Sequence, residues 1–337
     1  MHKAIICGAS GYIGSALSTK LLARGVDVWG IGRREAFTPP LVARGNNEPE
    51  AQLALWHYQS VDAQDYAALA SNPQLQAWCQ TDSDASNIGS DNARGPVFYY
   101  LTWRGHERLR DGSLEEQLKN VAYVSNAIAA AAQLGCSKFV LVGSQYEVLF
   151  QHYLNTGAWH ESYFESGATD YIYPACKLFA YEQAELTAYL KRIDLVHTRF
   201  SVALDSKLAA PNYIARTLKS ILAGQAYEPP RSPILYEMVL LEDLAQMFYL
   251  AGCYGHNKDV FYLGYGQCAS LHDYFASAAH YSKEQAAHVQ LPKVDGEQAL
   301  VATFKATALK QRCPEGEQAV FSHDWDYVLR HLQAKAE

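Results

Sequence analysis

The sequence predicts an α/β protein: a doubly wound parallel sheet with a smaller, mainly C-terminal lobe. Three observations carry this expectation. Short apolar runs alternate with helix-like stretches over residues 1–204. A glycine-rich turn, Gly8-Ala9-Ser10-Gly11-Tyr12-Ile13-Gly14, follows the first apolar run. Tyr173 and Lys177 stand one helical turn apart far downstream. The alternation is the signature of βαβ units, because parallel strands are buried on both faces and need crossover helices.

Taken in order, the first strand is Lys3–Cys7, whose apolar run Ala4-Ile5-Ile6-Cys7 is closed by Gly8. The helix expected at 14–23 begins where the glycines end, and β-branched residues put the second strand at 26–31. Strands follow at 54–58, 97–102, Lys138–Val142 and 194–198, with helices at 63–70, 114–134 and 173–191 between them. The 114–134 helix is alanine-rich, and Gly135 is placed to end it. Late in the chain, 238–241 reads as a strand running into Glu242-Asp243-Leu244-Ala245 and a helix to Ala251. A strand at 260–264 comes next, and Ser270-Leu271-His272-Asp273 opens another helix. Two polar stretches, 37–50 and 80–94, read as surface loops rather than linkers.

The chain has 337 residues, a net charge of −7 and no Lys/Arg-rich stripe, which argues against a nucleic-acid partner. Its apolar runs are too short to span a bilayer, and Met1-His2-Lys3 leads straight into a strand, leaving no room for a signal peptide. The seven cysteines form no CxxC or metal-ligand pair, and the twelve histidines no HxxxH or HxH pair. No metal site is expected, and a reduced, cytoplasmic protein is the reading.

A strand, glycines at 8, 11 and 14, then a helix is the setting in which this spacing binds a dinucleotide. Gly8 permits the tight turn, Gly11 lets the backbone approach a pyrophosphate, and Gly14 allows close helix–strand packing. Ser10, Tyr12 and Ile13 complete the cradle. Enzymes that take NAD usually carry an acidic residue at the end of the second strand, whereas here the chain reads Gly30-Ile31-Gly32-Arg33-Arg34. A guanidinium pairs with a ribose phosphate that a carboxylate would repel, so NADP is favoured over NAD. Arg33 and Arg34 equally fit an exposed loop. Asp62, after the third strand, fits both an acceptor for the adenine amino group and a helix N-cap.

A free tyrosine, with a pKa of about 10, is a poor acid–base catalyst at neutral pH without help. A lysine ammonium on the same helical face favours the phenolate, so Lys177 is expected to lower the pKa of Tyr173. Ser144 lies just past a strand's C-terminal end, the edge where open α/β sheets bind ligands, and there its hydroxyl would polarise a substrate oxygen.

These residues resemble the extended short-chain dehydrogenases/reductases, the group often called NAD-dependent epimerases/dehydratases. The resemblance runs through Gly8–Gly14, the 97–102 strand leading into Trp103, Asn120-Val121, Gly143-Ser144, Tyr173 to Lys177 with Glu182, Leu241-Glu242-Asp243-Leu244-Ala245 and Phe261-Tyr262-Leu263-Gly264. It implies a Rossmann-type fold and a catalytic triad of Ser144, Tyr173 and Lys177, with Asn120 behind it. Leu101, Thr102, Trp103, Asn120, Tyr173 and Lys177 would join the glycine turn against the cofactor; Trp103, Arg104, Gln145 and Tyr146 would face substrate. Residues 1–204 with about 236–264 would bind the dinucleotide, and about 205–235 with 265–337 the substrate. Relatives often dimerise through two long helices, here 114–134 and 173–191.

Sugar dehydratases of this group follow the catalytic Ser/Thr with an Asp-Glu pair. Here Gln145-Tyr146 follows, with Glu147 displaced by one position, so elimination is not expected. Residues 99–105 and 143–147 resemble the branch acting on deoxyhexoses with nucleotide carriers. Nucleotide-sugar members commonly carry an Arg-Asp pair where this chain has Tyr236-Glu237; Arg231, Arg216 or Lys219 would substitute, or be solvated charges. Residues 198–202 lack the group's usual proline. The expectation is an NADP-dependent reductase of a ketone, most simply a keto-deoxysugar on a nucleotide carrier. An NAD(P)-dependent nucleotide-sugar epimerase and a non-catalytic NADP-sensing regulator are the alternatives.

Overall fold

The structure, a computed structural model, describes residues 1–42, 49–80, 95–105, 113–157, 172–210, 212–230, 234–284, 288–294 and 301–333. Most of the loop expected at 80–94, part of that at 37–50, and Arg231 lie outside these residues.

Strands β1 (Lys3–Cys7), β2 (Asp27–Gly32), β3 (Trp56–Ser60), β4 (Val97–Tyr100), β5 (Lys138–Val142), β6 (Asp194–Arg199) and β10 (Asp259–Tyr262) form one sheet in the order β10-β6-β5-β4-β1-β2-β3. Every pairing in it is parallel. Each residue of β1, β4 and β5 is buried, as expected of strands covered on both faces. After β3 the chain returns past β1 to form β4, so the strand order reverses at the β1–β4 pair. Its carboxyl edge, where Cys7 pairs with Tyr100, is the topological switch point of the sheet.

Helices α4 (Leu114–Gln133) and α6 (Ile172–Lys191) pack together on one face. On the other, α1 (Tyr12–Ala23) packs against α8 (Leu241–Tyr254). The helix expected at 63–70 is a 3-10 helix, Ala63–Ser71, whose N-cap Asp62 accepts from Gln64 N–H. Helices that the pattern did not give include α2 (Pro49–Ala54), α3 (Pro73–Gln80), α5 (Gln145–Thr156) and α7 (Tyr213–Leu222), with two more at Thr307–Arg312 and Trp325–Gln333. α7 buries Ala215, Leu218 and Ile221 along one stripe and starts at Asn212, whose side chain accepts from Ala215 N–H.

The rest of the chain builds two small sheets, β7 (Val202–Leu204) parallel to β9 (Met238–Leu240) and β8 (Leu235–Tyr236) antiparallel to β11 (Ala269–Ser270). Between β8 and β9 sits Glu237, 1% exposed. Its Oε1 accepts from Tyr265 N–H at 2.9 Å and Gln267 N–H at 2.8 Å, and its own N–H donates to Ser201 Oγ at 3.1 Å. This carboxyl therefore fastens the turn after β10 to the chain between β8 and β9.

Burial raises the Glu237 carboxyl from 4.5 to about 7, against the lowering by backbone N–H groups. The native state then holds the proton more tightly than the unfolded chain. The stabilisation is complete below the unfolded value and is lost as pH rises through about 7, a change of about 3 kcal/mol. Glu237→Gln abolishes that loss. Thermal unfolding followed from about pH 5 to about pH 8 should show the variant gaining about 3 °C or more on the parent; a constant difference would contradict the assignment.

Candidate active site

The site assembles at the switch point from four loops. Gly8 has φ of +91°, a conformation open to glycine. Gly8 and Ala9 N–H donate to Ile31 O at 2.8 and 3.0 Å, and Gly11 N–H donates to Gly8 O at 2.9 Å. A Cβ on Gly14 would lie 2.1 Å from Gly8 O, so only glycine lets α1 come this close to the turn. Gly11, the N-cap of α1, offers no side-chain cap, which leaves the first-turn N–H groups for an anion. This cradle fits a dinucleotide pyrophosphate. Tyr12 reaches out of it, donating its hydroxyl to Asp205 Oδ2 at 2.7 Å and accepting from Asp205 N–H at 2.7 Å.

At the end of β2, Ser10 Oγ lies 2.6 Å from where a Gly32 Cβ would stand, so the glycine turn and the end of β2 pack closely just before Arg33 and Arg34. Both arginines are exposed, with Arg34 5.8 Å from the Phe37 ring. Asp62 is indeed an N-cap, and the same Oδ1 takes the Arg104 guanidinium. Arg104 also lies 5.6 Å from the Tyr123 ring. Asn120, fully buried on α4, accepts from Arg104 N–H at 2.8 Å and donates to Arg104 O at 3.1 Å. It thereby fixes the chain leaving β4, where Thr102 Oγ1 meets Tyr66 Oη at 2.9 Å.

Trp103 turns inward. Its Nε1–H donates to Gln117 Oε1 at 2.8 Å, its edge meets Tyr173 (centroids 5.9 Å, 84°), and its face receives Lys177 Nζ at 4.0 Å. Lys177 donates to Val142 O at 3.0 Å. Ser144 caps α5 and lies beside the Tyr173 hydroxyl. The structure thus brings Ser144, Tyr173, Lys177 and Trp103 together. Gln145 is buried with Oε1 unpartnered among the described residues, and Tyr146 Oη bonds Tyr236 Oη at 3.1 Å. Tyr236, which stands where nucleotide-sugar members of the group commonly carry an arginine, forms one half of a neutral phenol pair.

Burial pushes the Lys177 ammonium down to about 8, against the pull of Glu147. Tyr173 differs from the expectation. Burial first, then the charge of Glu147, raises its phenol above the ordinary 10, and Ser144 only partly offsets them. In this arrangement Lys177 spends its hydrogen bond on Val142, and the tyrosine keeps its proton. Sequence reasoning missed three further residues at the site: Glu147, His197 and Arg199. Glu147 Oε2 meets His197 Nε2 at 2.8 Å and Arg199 Nε at 2.9 Å. The Ser-x-x-Glu spacing of a capping box was the available signal. Among the described residues no His/Cys/Asp/Glu cluster could hold a metal ion, and no helix is long and apolar enough to cross a membrane.

The model of the NAD dependent epimerase/dehydratase family matches residues 4–235. Similar solved structures include UDP-glucose 4-epimerase from Thermotoga maritima with UDP-glucose, 13% identical, TM-score 0.60, covering 98% of this chain and 100% of that one. Another is the Bordetella bronchiseptica enzyme WbmF with NAD+ and UDP, 14% identical, TM-score 0.63, covering 99% and 93%. A third is UDP-glucuronic acid 4-epimerase from Bacillus cereus, a tyrosine-to-phenylalanine mutant with a fluorinated UDP-glucuronic acid and NAD, 16% identical, TM-score 0.58, covering 97% and 99%. No curated protein sequence matches the chain.

Gly14→Ala drives a methyl into Gly8 O. Its affinity for nicotinamide dinucleotide, measured by calorimetry, should fall by more than about tenfold. Unchanged affinity would remove the glycine turn from the cofactor site.

Proposed function

Because the chain belongs to the NAD-dependent epimerase/dehydratase family, we propose that it is an NADP-dependent reductase of a ketone, carried on a deoxysugar attached to a nucleotide. The observation that carries this reading is Tyr173: a buried phenol that retains its proton, set beside Ser144 and on the same helix as Lys177, whose Nζ lies 5.9 Å from its ring. A protonated donor beside a hydroxyl is what a carbonyl needs as it becomes an alkoxide.

When bound, the reduced nicotinamide supplies the hydride. Tyr173 gives its proton to the substrate oxygen, and Ser144 hydrogen-bonds that oxygen as charge develops. Lys177, as an ammonium, stabilises the phenolate left behind. Asn120 and Trp103 hold the chain after β4 and the lysine in place. Glu147 accepts hydrogen bonds from inside the protein, which supports reduction over elimination. Arg33 and Arg34, exposed at the end of β2 with no carboxylate before Glu35, support NADP. Residues 1–204 with about 236–264 hold the cofactor, and 205–235 with 265–337 cover the substrate. On α4 and α6, Leu118, Phe179, Leu186, Tyr189 and Leu190 are exposed, and these helices supply the interface of a homodimer. Seven free cysteines suit a reduced, cytoplasmic setting.

A second reading has its own support: two of the similar structures are UDP-sugar 4-epimerases, one of them holding NAD. An epimerase interconverts stereoisomers with no net consumption of cofactor, and retains NAD through purification. Extraction of the purified protein decides between them; released NADP supports the reductase, and stoichiometric NAD the epimerase.

Tyr173→Phe should lower reductase turnover by about 10²–10⁴-fold with NADPH affinity unchanged. Full turnover would overturn its role. Since Lys177 loses its charge above about 8, turnover should decline as pH rises through that value; a flat profile to pH 10 (about the free lysine value) would contradict the lysine's part. Replacing Arg33 and Arg34 by alanine should raise the KM for NADPH about tenfold and leave that for NADH nearly unchanged.

A further inference from the structure

The turn after Ser144 holds a carboxylate for which the proposed chemistry has no direct use. Glu147 is 0% exposed. Its Oε1 accepts from Ser144 N–H at 2.9 Å, and its Oε2 accepts from Arg199 Nε–H at 2.9 Å and meets His197 Nε2 at 2.8 Å. A Cβ on Gly143 would lie 2.4 Å from Glu147 Oε1 and 2.5 Å from the His197 ring, so carboxylate and imidazole fill the space a side chain would take there. Tyr181, one turn beyond Lys177 on α6, closes the cluster by stacking on His197 at 4.1 Å and lying 5.5 Å from the Arg199 guanidinium.

We propose that Glu147 is a positioning residue: the buried counter-charge that fixes Ser144 at the end of β5 and keeps Lys177 in its ammonium form. Lys177 Nζ donates to Val142 O at 3.0 Å, while Glu147 Oε1 takes Ser144 N–H and stands 2.4 Å from the Cβ site of the intervening Gly143, so ammonium and carboxylate meet on one stretch of backbone. The other charged and titratable groups there are Tyr173 on the lysine's own helix and, on β6, His197 and the Arg199 that pairs with Glu147. Burial opposes the Glu147 charge, but the hydrogen bond from His197 and the charges of Arg199 and Lys177 outweigh it, so the carboxylate stays ionised. Burial, reinforced by Arg199 and Lys177, holds His197 below its ordinary value against the pull of Glu147. The imidazole is therefore neutral, donates Nε2–H to Glu147, and leaves Nδ1 without a partner among the described residues. Charge then balances on two sides: Arg199 neutralises Glu147 from β6, and the remaining field of the carboxylate falls on Lys177. Removing one member of a buried charge cluster leaves the other uncompensated, and an amine answers by losing its proton.

The relevance to catalysis rests on the Tyr/Lys reading above, but the test needs no turnover, so the two fail separately. Full-length protein labelled at lysine Cε with ¹³C is titrated by NMR, and the signal missing from Lys177→Arg is that of Lys177. In Glu147→Gln, which keeps an acceptor for Ser144 N–H, the midpoint should fall by more than about one pH unit, a tenfold change in the ammonium-to-amine ratio. An unchanged or raised midpoint overturns the proposal. If that variant does not fold, Arg199→Gln removes a like charge, and the midpoint should rise; a constant or lower value overturns it.

Discussion

A buried lysine ammonium is the constraint around which the site is arranged. An unpaired charge in an apolar interior is expensive, so each partner of Lys177 is placed to compensate it. Val142 O accepts its hydrogen bond, Trp103 gives it an aromatic face, and Glu147 supplies opposite charge. These partners come from β5, the chain after β4, and α5. Satisfying one ammonium therefore docks α6 against the sheet edge, and Tyr173, one turn earlier on that helix, is carried into contact with Ser144.

The parallel sheet supplies the place where this is useful. With the order reversing at β1 and β4, the loops after β1, β4 and β5 rise side by side from one edge. The first is bent by Gly8 into an anion cradle, the second is held by Asn120, and the third is capped by Ser144. Chain from beyond β6 is joined to this edge by contacts distant in the sequence. Tyr12 reaches Asp205 across 193 residues and Tyr146 reaches Tyr236 across 90. Both contacts link a residue expected at the cofactor or substrate to chain from the second half.

Much of the fold was legible because buried parallel strands are apolar throughout. β1 and β5 lie where their runs of Ala, Ile, Val and Leu placed them, and the glycine spacing marked the start of α1. The misses have physical causes. Residues 145–156 mix Gln, His, Tyr and Asn with apolar side chains and show no clean period, so only the Ser144/Glu147 cap announces α5. Strands such as β7 and β8, three and two residues long, are too short to carry an alternation. Of the site, Ser144, Tyr173 and Lys177 were readable from order and spacing. His197 looked solitary because its partner Glu147 is 50 residues away, and the Arg104–Asp62 pair spans 42. The sign of the Tyr173 shift was unreadable as well, since it depends on burial and on where the lysine's one strong hydrogen bond goes.

The central claim is net hydride transfer to a carbonyl, with the proton supplied by the chain. Mass spectrometry of a nucleotide-linked keto-deoxyhexose incubated with carbon-deuterated NADPH tests it most directly. The account predicts a reduced product carrying the transferred deuterium, with NADP+ formed in equal amount. An isomerised product without deuterium, and cofactor left unchanged, would contradict it.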